Sequence, residues 1–265
     1  MCGYYFSRII FRLYSKSTLT SSEYIMFPRN QFCLFLIYTT IDTSTKLIYD
    51  TKMFGIGLFI LLIFLISDEN IVCDADSDCF YVPKDSLISV HPALIVLNCT
   101  GATAEDLDSV LYIADSLDIV LSTCHKSMNH RSVYLNDEDI MRTYEKLIRE
   151  YPVDVSRIFL YGFSGMAAQA LITLFWHTPQ FRGVIAVCGH KGAMQFAEWQ
   201  ELSDKYVYLI SREKDWNLGD NRLMHSQFRY STIKDTLIIT QGEHTPTSKE
   251  ELLDACIWLL KKTEH

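Results

Sequence analysis

The stretch Arg157-Ile-Phe-Leu-Tyr-Gly-Phe-Ser-Gly-Met-Ala-Ala-Gln-Ala-Leu-Ile-Thr-Leu-Phe175 decides how the chain is read. It opens as a short apolar run, Ile158 to Tyr161, and turns at Gly162-Phe163-Ser164-Gly165. Small and apolar residues then recur at helical spacing: Ala167, Ala170, Leu171 and Leu174. A strand feeding a helix through Gly-x-Ser-Gly places the serine on a strained bend, with its hydroxyl pushed clear of the backbone. Small residues suit the turn because strand and helix backbones nearly touch there. The usual pattern has a second glycine two places after the serine. Here that place holds Met166, and the glycine comes one place early, at Gly165. The plainer alternative is a strand-turn-helix of any parallel α/β protein, with Ser164 acting only as a helix N-cap.

Length and composition set the frame. A chain of 265 residues, 49% hydrophobic and 21% charged, fits one sizeable α/β domain with an appendage. A net charge of −8 argues against nucleic acid or an anionic membrane surface as the main partner. The eight cysteines include no C-x-x-C pair, so no structural metal is expected.

Residues 1–52 lack helical or strand periodicity and are expected to be a non-structural or mis-assigned extension. Lys52-Met53, the apolar run Phe54 to Ile66 and the polar exit Ser67-Asp68-Glu69-Asn70 have the layout of a secretory signal. Residues 53–75 are therefore expected to be a signal peptide, with Met53 as the true start, and the protein is expected to be exported. Leu65-Ile-Ser67 and Cys73-Asp-Ala75 are candidate cleavage sites. The alternative is a genuine extension with residues 54–66 as a membrane tether.

Residues 76–265 form the expected catalytic domain. Cys79–Val82 reads as an edge strand stopped by Pro83, and Ala93–Leu97 as a buried strand. Thr103-Ala-Glu-Asp106 resembles a capping box opening one helix through Leu117. Strand Ile119–Ser122, a polar loop and a helix opening at Asn136-Asp-Glu-Asp139 precede the elbow. After it come strands Gly183–Cys188, Tyr206–Ser211 and Thr236–Thr240, with helices Asn221–Arg229 and Ser248–Lys261. Such alternation predicts a mostly parallel, doubly wound sheet with helices on both faces and ligands at the carboxyl ends of the strands.

A serine hydroxyl needs a base to take its proton, and the base needs a third group to hold its tautomer. On this architecture the order is serine, acid, histidine, each after its own strand. Ser164, Asp215 (in Ser211-Arg-Glu-Lys-Asp-Trp-Asn217) and His244 (in Gln241-Gly-Glu-His-Thr-Pro246) follow that order. Glu213 is the alternative acid; His190, His125 and His130 are read as loop residues. A tetrahedral intermediate needs two backbone N–H donors. Gly165 should supply one, and Cys99 or Thr100, after strand Ala93–Leu97, the other.

On these residues, together with Val153-Asp-Val-Ser-Arg157, Glu213-Lys-Asp-Trp-Asn217 and Gly242-Glu-His244, the chain from about Cys79 onward resembles the α/β-hydrolase superfamily. The nearest likeness is to its compact esterases: feruloyl-esterase-like, polyhydroxyalkanoate-depolymerase-like and dienelactone-hydrolase-like proteins. The resemblance implies a triad of Ser164, Asp215 and His244, with no cofactor or metal. Many relatives have His-Gly where this chain has Asn98-Cys99. The implied substrate is a small-molecule or polymer-linked ester, because the connection between strands Gly183–Cys188 and Tyr206–Ser211 is too short for a large lid domain. Phe196, Trp199 and Trp216 could line a flat aromatic surface or simply pack the core. In this fold the strands before Cys99 and Cys124 should be neighbours, which makes those thiols candidates for a disulfide in an exported protein. Rival readings are a peptidase or acyltransferase on the same scaffold, or an inactive binding protein that has kept the fold.

Overall fold

A computed structural model describes residues 10–15, 18–25, 34–35, 71–83, 90–195 and 202–264. The chain divides into two units, Met1–Ser67 and Asp68–His265. The first contains β1 (Ile10–Ser15), β2 (Thr18–Ile25) and β3 (Leu34–Phe35), an antiparallel three-stranded sheet in which Ile10 pairs with Glu23 and Ser15 with Thr18. The expectation that residues 1–52 carry no regular structure is corrected at these strands. Their β-branched and aromatic residues favour extended backbone even where strict alternation is absent. Residues 54–66, the expected signal core or tether, lie outside the described residues. Among the described residues, no helix is long and apolar enough to cross a membrane.

The second unit is built on one sheet. Its strands are β4 (Ile71–Cys73), β5 (Cys79–Tyr81), β6 (His91–Leu97), β7 (Val120–Thr123), β8 (Val153–Phe163), β9 (Gly183–Val187), β10 (Tyr206–Arg212) and β11 (Lys234–Thr240). Their spatial order is β11-β10-β9-β8-β6-β7-β5-β4. Strands β6 to β11 run parallel, and β5 is antiparallel to both β7 and β4. The helices are α1 (Ala104–Asp108), α2 (Leu111–Leu117), α3 (Val133–Glu150), α4 (Gly165–Trp176), α5 (Leu218–Phe228) and α6 (Lys249–Thr263).

Two-residue alternation along the central strands divides the core into two layers. Ala93, Ile95 and Leu97 of β6 and Ile158 and Leu160 of β8 pack with α4 and with Met224 and Phe228 of α5. Leu94, Val96, Phe159 and Tyr161 pack instead with Ile113 and Ala114 of α2 and with Leu252, Ala255 and Leu259 of α6. Helix α4 is buried from Met166 through Phe175, which is why its sequence is apolar nearly all round.

Several boundaries differ from expectation. The single helix expected over 104–117 breaks at Ser109-Val110. There the Ser109 hydroxyl donates to the Asp106 carbonyl at 2.7 Å, a local bond that competes with continuing the helix. Cys79–Tyr81 is an interior strand rather than an edge, because β4 pairs outside it. Residues 71–73 of the expected signal segment are thus a strand of the sheet, and a disulfide joins Cys73 to Cys79 across the β4–β5 pair. The expected Cys99–Cys124 bridge does not form; both are free thiols. The Cys99 thiol donates instead to the Phe163 carbonyl at 3.2 Å, and burial pushes the Cys124 thiol up to about 12. Helix α3 begins at Val133, so Asn136, Asp137 and Asp139 sit inside it and are buried rather than capping its first turn.

From β6 the chain crosses to β7 on one side and then returns to β8 on the other, so connections leave β6 and β8 in opposite directions. That reversal opens a crevice at their carboxyl ends, flanked by Asn98-Cys99-Thr100 and the Ser164 turn.

Candidate active site

The Ser164 turn is the most constrained element of the crevice. Ser164 has φ 56 and ψ −121, a conformation that costs a non-glycine residue about 1–3 kcal/mol and is held only by its surroundings. Its N–H donates to the Val187 carbonyl at 2.8 Å, and its own carbonyl accepts from Ala167 at 3.1 Å. A Cβ on Gly162 would collide with the Met166 backbone carbonyl, so the close approach requires glycine at 162. A Cβ on Gly165 would strike the Asn129 side chain, which explains the early glycine. Met166 is accommodated by complete burial, with its sulfur accepting from the Ser127 hydroxyl at 3.6 Å.

Asp215 lies just past β10. Its carboxylate accepts from the Asn217 N–H at 2.9 Å and from the Ser211 hydroxyl at 3.2 Å. Burial alone would raise this carboxyl, but hydrogen bonds from the Cys188 thiol, the Asn217 N–H and His244 outweigh it and hold it below the usual carboxylate range. His244 follows β11. The two loops are stitched together by Glu213 N–H to Thr240 O (2.9 Å) and Lys214 N–H to Gly242 O (3.0 Å). Gly242, at φ 127, makes the bend that turns His244 back over the sheet.

These loops bring together side chains 80 and 29 residues apart in sequence. His244 Nε2 is 2.9 Å from Ser164 Oγ, and His244 Nδ1 is 2.9 Å from Asp215 Oδ1. Both side chains of the His–Asp pair are largely withdrawn from solvent, at 8% and 0% exposure. Glu213, the alternative acid, is exposed and points its backbone, not its carboxylate, into the network. His190 is exposed beside Gly192, while His125 binds the Ala102 carbonyl with its ring and Asp78 with its backbone. His130 occupies a left-handed turn at φ 61.

The loop after β6 is fastened to the elbow at Cys99, whose thiol donates to Phe163 O and whose carbonyl accepts from Asn129 N–H at 2.9 Å. The Thr100 N–H is already given to Asn98 Oδ1 at 3.1 Å. Asn98, where many of the resembled proteins have histidine, also donates to Asp106 at 2.6 Å and so ties this loop to the α1 capping box.

Two features were not legible in the sequence. Trp216, 74% exposed, stacks on the His244 ring at 3.8 Å between centroids, and Phe163 lies 4.8 Å away on a tilted ring plane. Arg212, 4% exposed, grips Glu251 of α6 through two bonds of 2.8 Å and also donates to Pro246 O and Thr245 Oγ1, which directly follow His244. An arginine at a strand end gives no sequence signal of this, because its partners lie 28 to 39 residues away. Phe196 and Trp199, the other expected aromatics, lie outside the described residues.

A mostly parallel sheet of this order, with a strained serine at the central strand and a histidine after the last, belongs to one known architecture. The chain has the α/β-hydrolase fold. Among solved structures it is similar to an S-formylglutathione hydrolase from Agrobacterium tumefaciens (13% identity, 73% of this chain and 94% of that one, TM-score 0.57). It is also similar to a Bacillus cereus carboxylesterase (16% identity, 76% and 98%, TM-score 0.57) and a Pyrobaculum calidifontis esterase (12% identity, 80% and 91%, TM-score 0.60). No family model and no curated protein sequence matches the chain. These α/β-hydrolase neighbours extend across nearly their whole length, and no large lid is inserted in this chain's described residues.

Proposed function

We propose that the protein is a serine hydrolase that cleaves carboxylic esters through an acyl-serine intermediate. The observation that carries this reading is the continuous hydrogen-bonded line from Asp215 through His244 to the strained Ser164, with both links at 2.9 Å. Asp215 holds the imidazole proton on Nδ1, leaving the Nε2 lone pair for the serine proton. Ser164 Oγ attacks the ester carbonyl as that proton moves to Nε2, and the developing imidazolium is stabilised by the adjacent carboxylate. The oxyanion is received by the Gly165 N–H, at the start of α4, and by the Cys99 N–H, the Thr100 amide being engaged elsewhere. Collapse expels the alcohol with the proton from His244, and a water activated the same way releases the acid. No step in this sequence calls on a cofactor.

Two hollows flank the elbow. One, of about 350 Å³, is lined by Asn98, Cys99, Tyr112, Phe163, Thr247 and Leu252; a smaller one, of about 170 Å³, by Asn129, Arg131, Gly165 and His190. An open site between them suits a small or polymer-linked ester better than a buried lipid tail. The Cys73–Cys79 disulfide supports an exported location. It also favours Leu65-Ile-Ser67 over Cys73-Asp-Ala75 as a processing site, because cutting after Ala75 would remove β4 and half of the bridge. N-terminal sequencing of the native protein that starts at Asp76 would refute this choice.

A fluorophosphonate probe tests the chemistry directly. Ser164 should be labelled in folded protein, and Ser164→Ala should lose both label and p-nitrophenyl ester hydrolysis, the latter by about 10⁴-fold or more. Folded protein that takes no label would favour an inactive binding protein. Labelling without turnover of esters of any chain length would favour a peptidase or acyltransferase.

A further inference from the structure

Cys188 sits against the Asp215–His244 pair yet has no part in the proposed hydrolysis. It directly follows β9 in a left-handed conformation at φ 51 and has no exposed surface. Its sulfur lies 3.6 Å from the Thr245 carbonyl and beside the Asp215 carboxylate, either of which can accept its single S–H proton. Ser164 relies on the same strand, through its bond to Val187, and Asn217 Nδ2 locks the Cys188 carbonyl at 2.9 Å. The thiol is therefore fixed beside the acid and base by the scaffold that builds the site.

One ligand atom from each of Cys188, Asp215 and His244 lies within 4.8 Å of the others. A tetrahedral cation with bonds of about 2.0 Å to nitrogen and oxygen and about 2.3 Å to sulfur holds its ligands roughly 3.3–3.5 Å apart, so small side-chain shifts would close the set. We propose that Cys188, Asp215 and His244 form an inhibitory site for a thiophilic divalent cation, Zn2+ or Cd2+. The proposal rests on the hydrolase reading for its consequence, though not for the binding itself.

Charge and proton bookkeeping support the choice of cation. The Cys188 thiol releases its proton to solvent on ligation, and thiolate plus carboxylate then neutralise the dication in a site with no exposed Asp215 or Cys188 surface. Imidazole binds through Nδ1, so its one proton must reside on Nε2, facing Ser164 Oγ. The lone pair that should accept the serine proton is gone, and the Asp215 carboxylate is diverted from His244 to the metal. Mg2+ and Ca2+, which require six or more oxygen ligands, do not suit a sulfur, a nitrogen and a carboxylate. A fourth position can be filled by water or by the Thr245 carbonyl. An ordinary Ser–His–Asp arrangement lacks the third donor, and the sulfur is what distinguishes this site.

The test follows metal binding and activity separately on EDTA-stripped protein. Cd2+ titration should produce a Cd–thiolate charge-transfer band that saturates at one equivalent, disappears in Cys188→Ser, and persists in Cys99→Ser, where the half-buried thiol is the competing source. In parallel, Zn2+ but not Mg2+ should inhibit p-nitrophenyl ester hydrolysis, EDTA should restore it, and Cys188→Ser should raise the inhibitory concentration at least about tenfold, each variant being compared with its own cation-free rate. If serine at 188 prevents folding, Cys188→Gly, which tolerates the left-handed backbone, replaces it. A band that survives loss of Cys188, or inhibition unchanged by that loss, overturns the proposal. A Cys188-dependent band in a protein with no esterase activity keeps the site and refutes the hydrolase reading; hydrolysis with no band does the reverse.

Discussion

The residue that most repays attention beside the triad is Trp216. An indole 74% exposed to water yet stacked 3.8 Å from the His244 ring presents its π-face to the group that becomes a cation in the proposed reaction. Such a contact is worth about 0.5–1 kcal/mol when exposed and ~2 kcal/mol when desolvated. Trp216→Ala is therefore expected to lower kcat about three- to tenfold, with Trp216→Phe recovering most of it. Equal kcat in all three proteins would show that the stack is only a surface contact. The sequence marks Trp216 as a candidate for an aromatic surface, but not as the cover of His244, since stacking depends on the relative placement of two loops. For Ser164 the local signal was enough: Gly162 and Gly165 bracket it because the polypeptide has no room there for another Cβ.

At the level of elements, the two loops that carry Asp215 and His244 gain their order from a helix. Arg212 ends β10, Glu251 opens α6 within the Ser248 capping box, and the guanidinium between them also holds Thr245 and Pro246, the two residues that follow His244. Breaking a buried pair strands a charge and costs about 3–5 kcal/mol, reduced here because Glu251 is 21% exposed. Arg212→Ala should thus destabilise the protein by about 2–4 kcal/mol in urea melts and lower kcat by more than KM rises. A double-mutant cycle with Glu251→Ala should return a favourable coupling between them; additive effects would refute the clamp. The sequence marks this helix as capped at Ser248, and the structure has that cap, but the bond from Arg212 to Glu251 is not legible there. In the same way, the acidic run in α3 was read as a helix start, yet Asp137 receives the Thr173 hydroxyl at 2.8 Å and His177 at 2.7 Å. Those partners come from the far end of another helix, and no local rule can supply them.

At the scale of the molecule, acid and reductant should act through identifiable bonds. Asp215 and Glu251 are both held below their ordinary values of 3.8 and 4.5, burial raising each but hydrogen bonds and the neighbouring His244 or Arg212 lowering it further. A depressed carboxyl contributes stability that is complete above its unfolded value and is lost as pH falls through the folded one. Urea midpoints should therefore hold above about pH 5 and decline below about pH 4, with a smaller decline in Asp215→Asn; an identical acid profile in that variant would contradict the assignment. The Cys73–Cys79 bridge closes a loop spanning a separation of 6 residues, worth about 2 kcal/mol by loop-closure entropy. Reduction should lower Tm by roughly 4–8 °C and raise proteolysis at the β4 edge first. An unchanged Tm with fully reduced thiols would show that β4 is held without it.

The amino-acid sequence alone determined the alternation of strand and helix, the parallel sheet and the order serine, acid, histidine, because each depends on local periodicity or on position after a strand. It also supplied Gly165 and Cys99 as candidate donors but could not choose between Cys99 and Thr100, since the choice turns on the bond from the Thr100 amide to Asn98. Only tertiary structure decided which cysteines pair, that β4 precedes the expected domain boundary, and that Trp216, Arg212 and Cys188 surround the imidazole. Those outcomes depend on strand order and on where separate loops meet above the sheet, and distances between remote segments are not encoded in any short stretch of the chain.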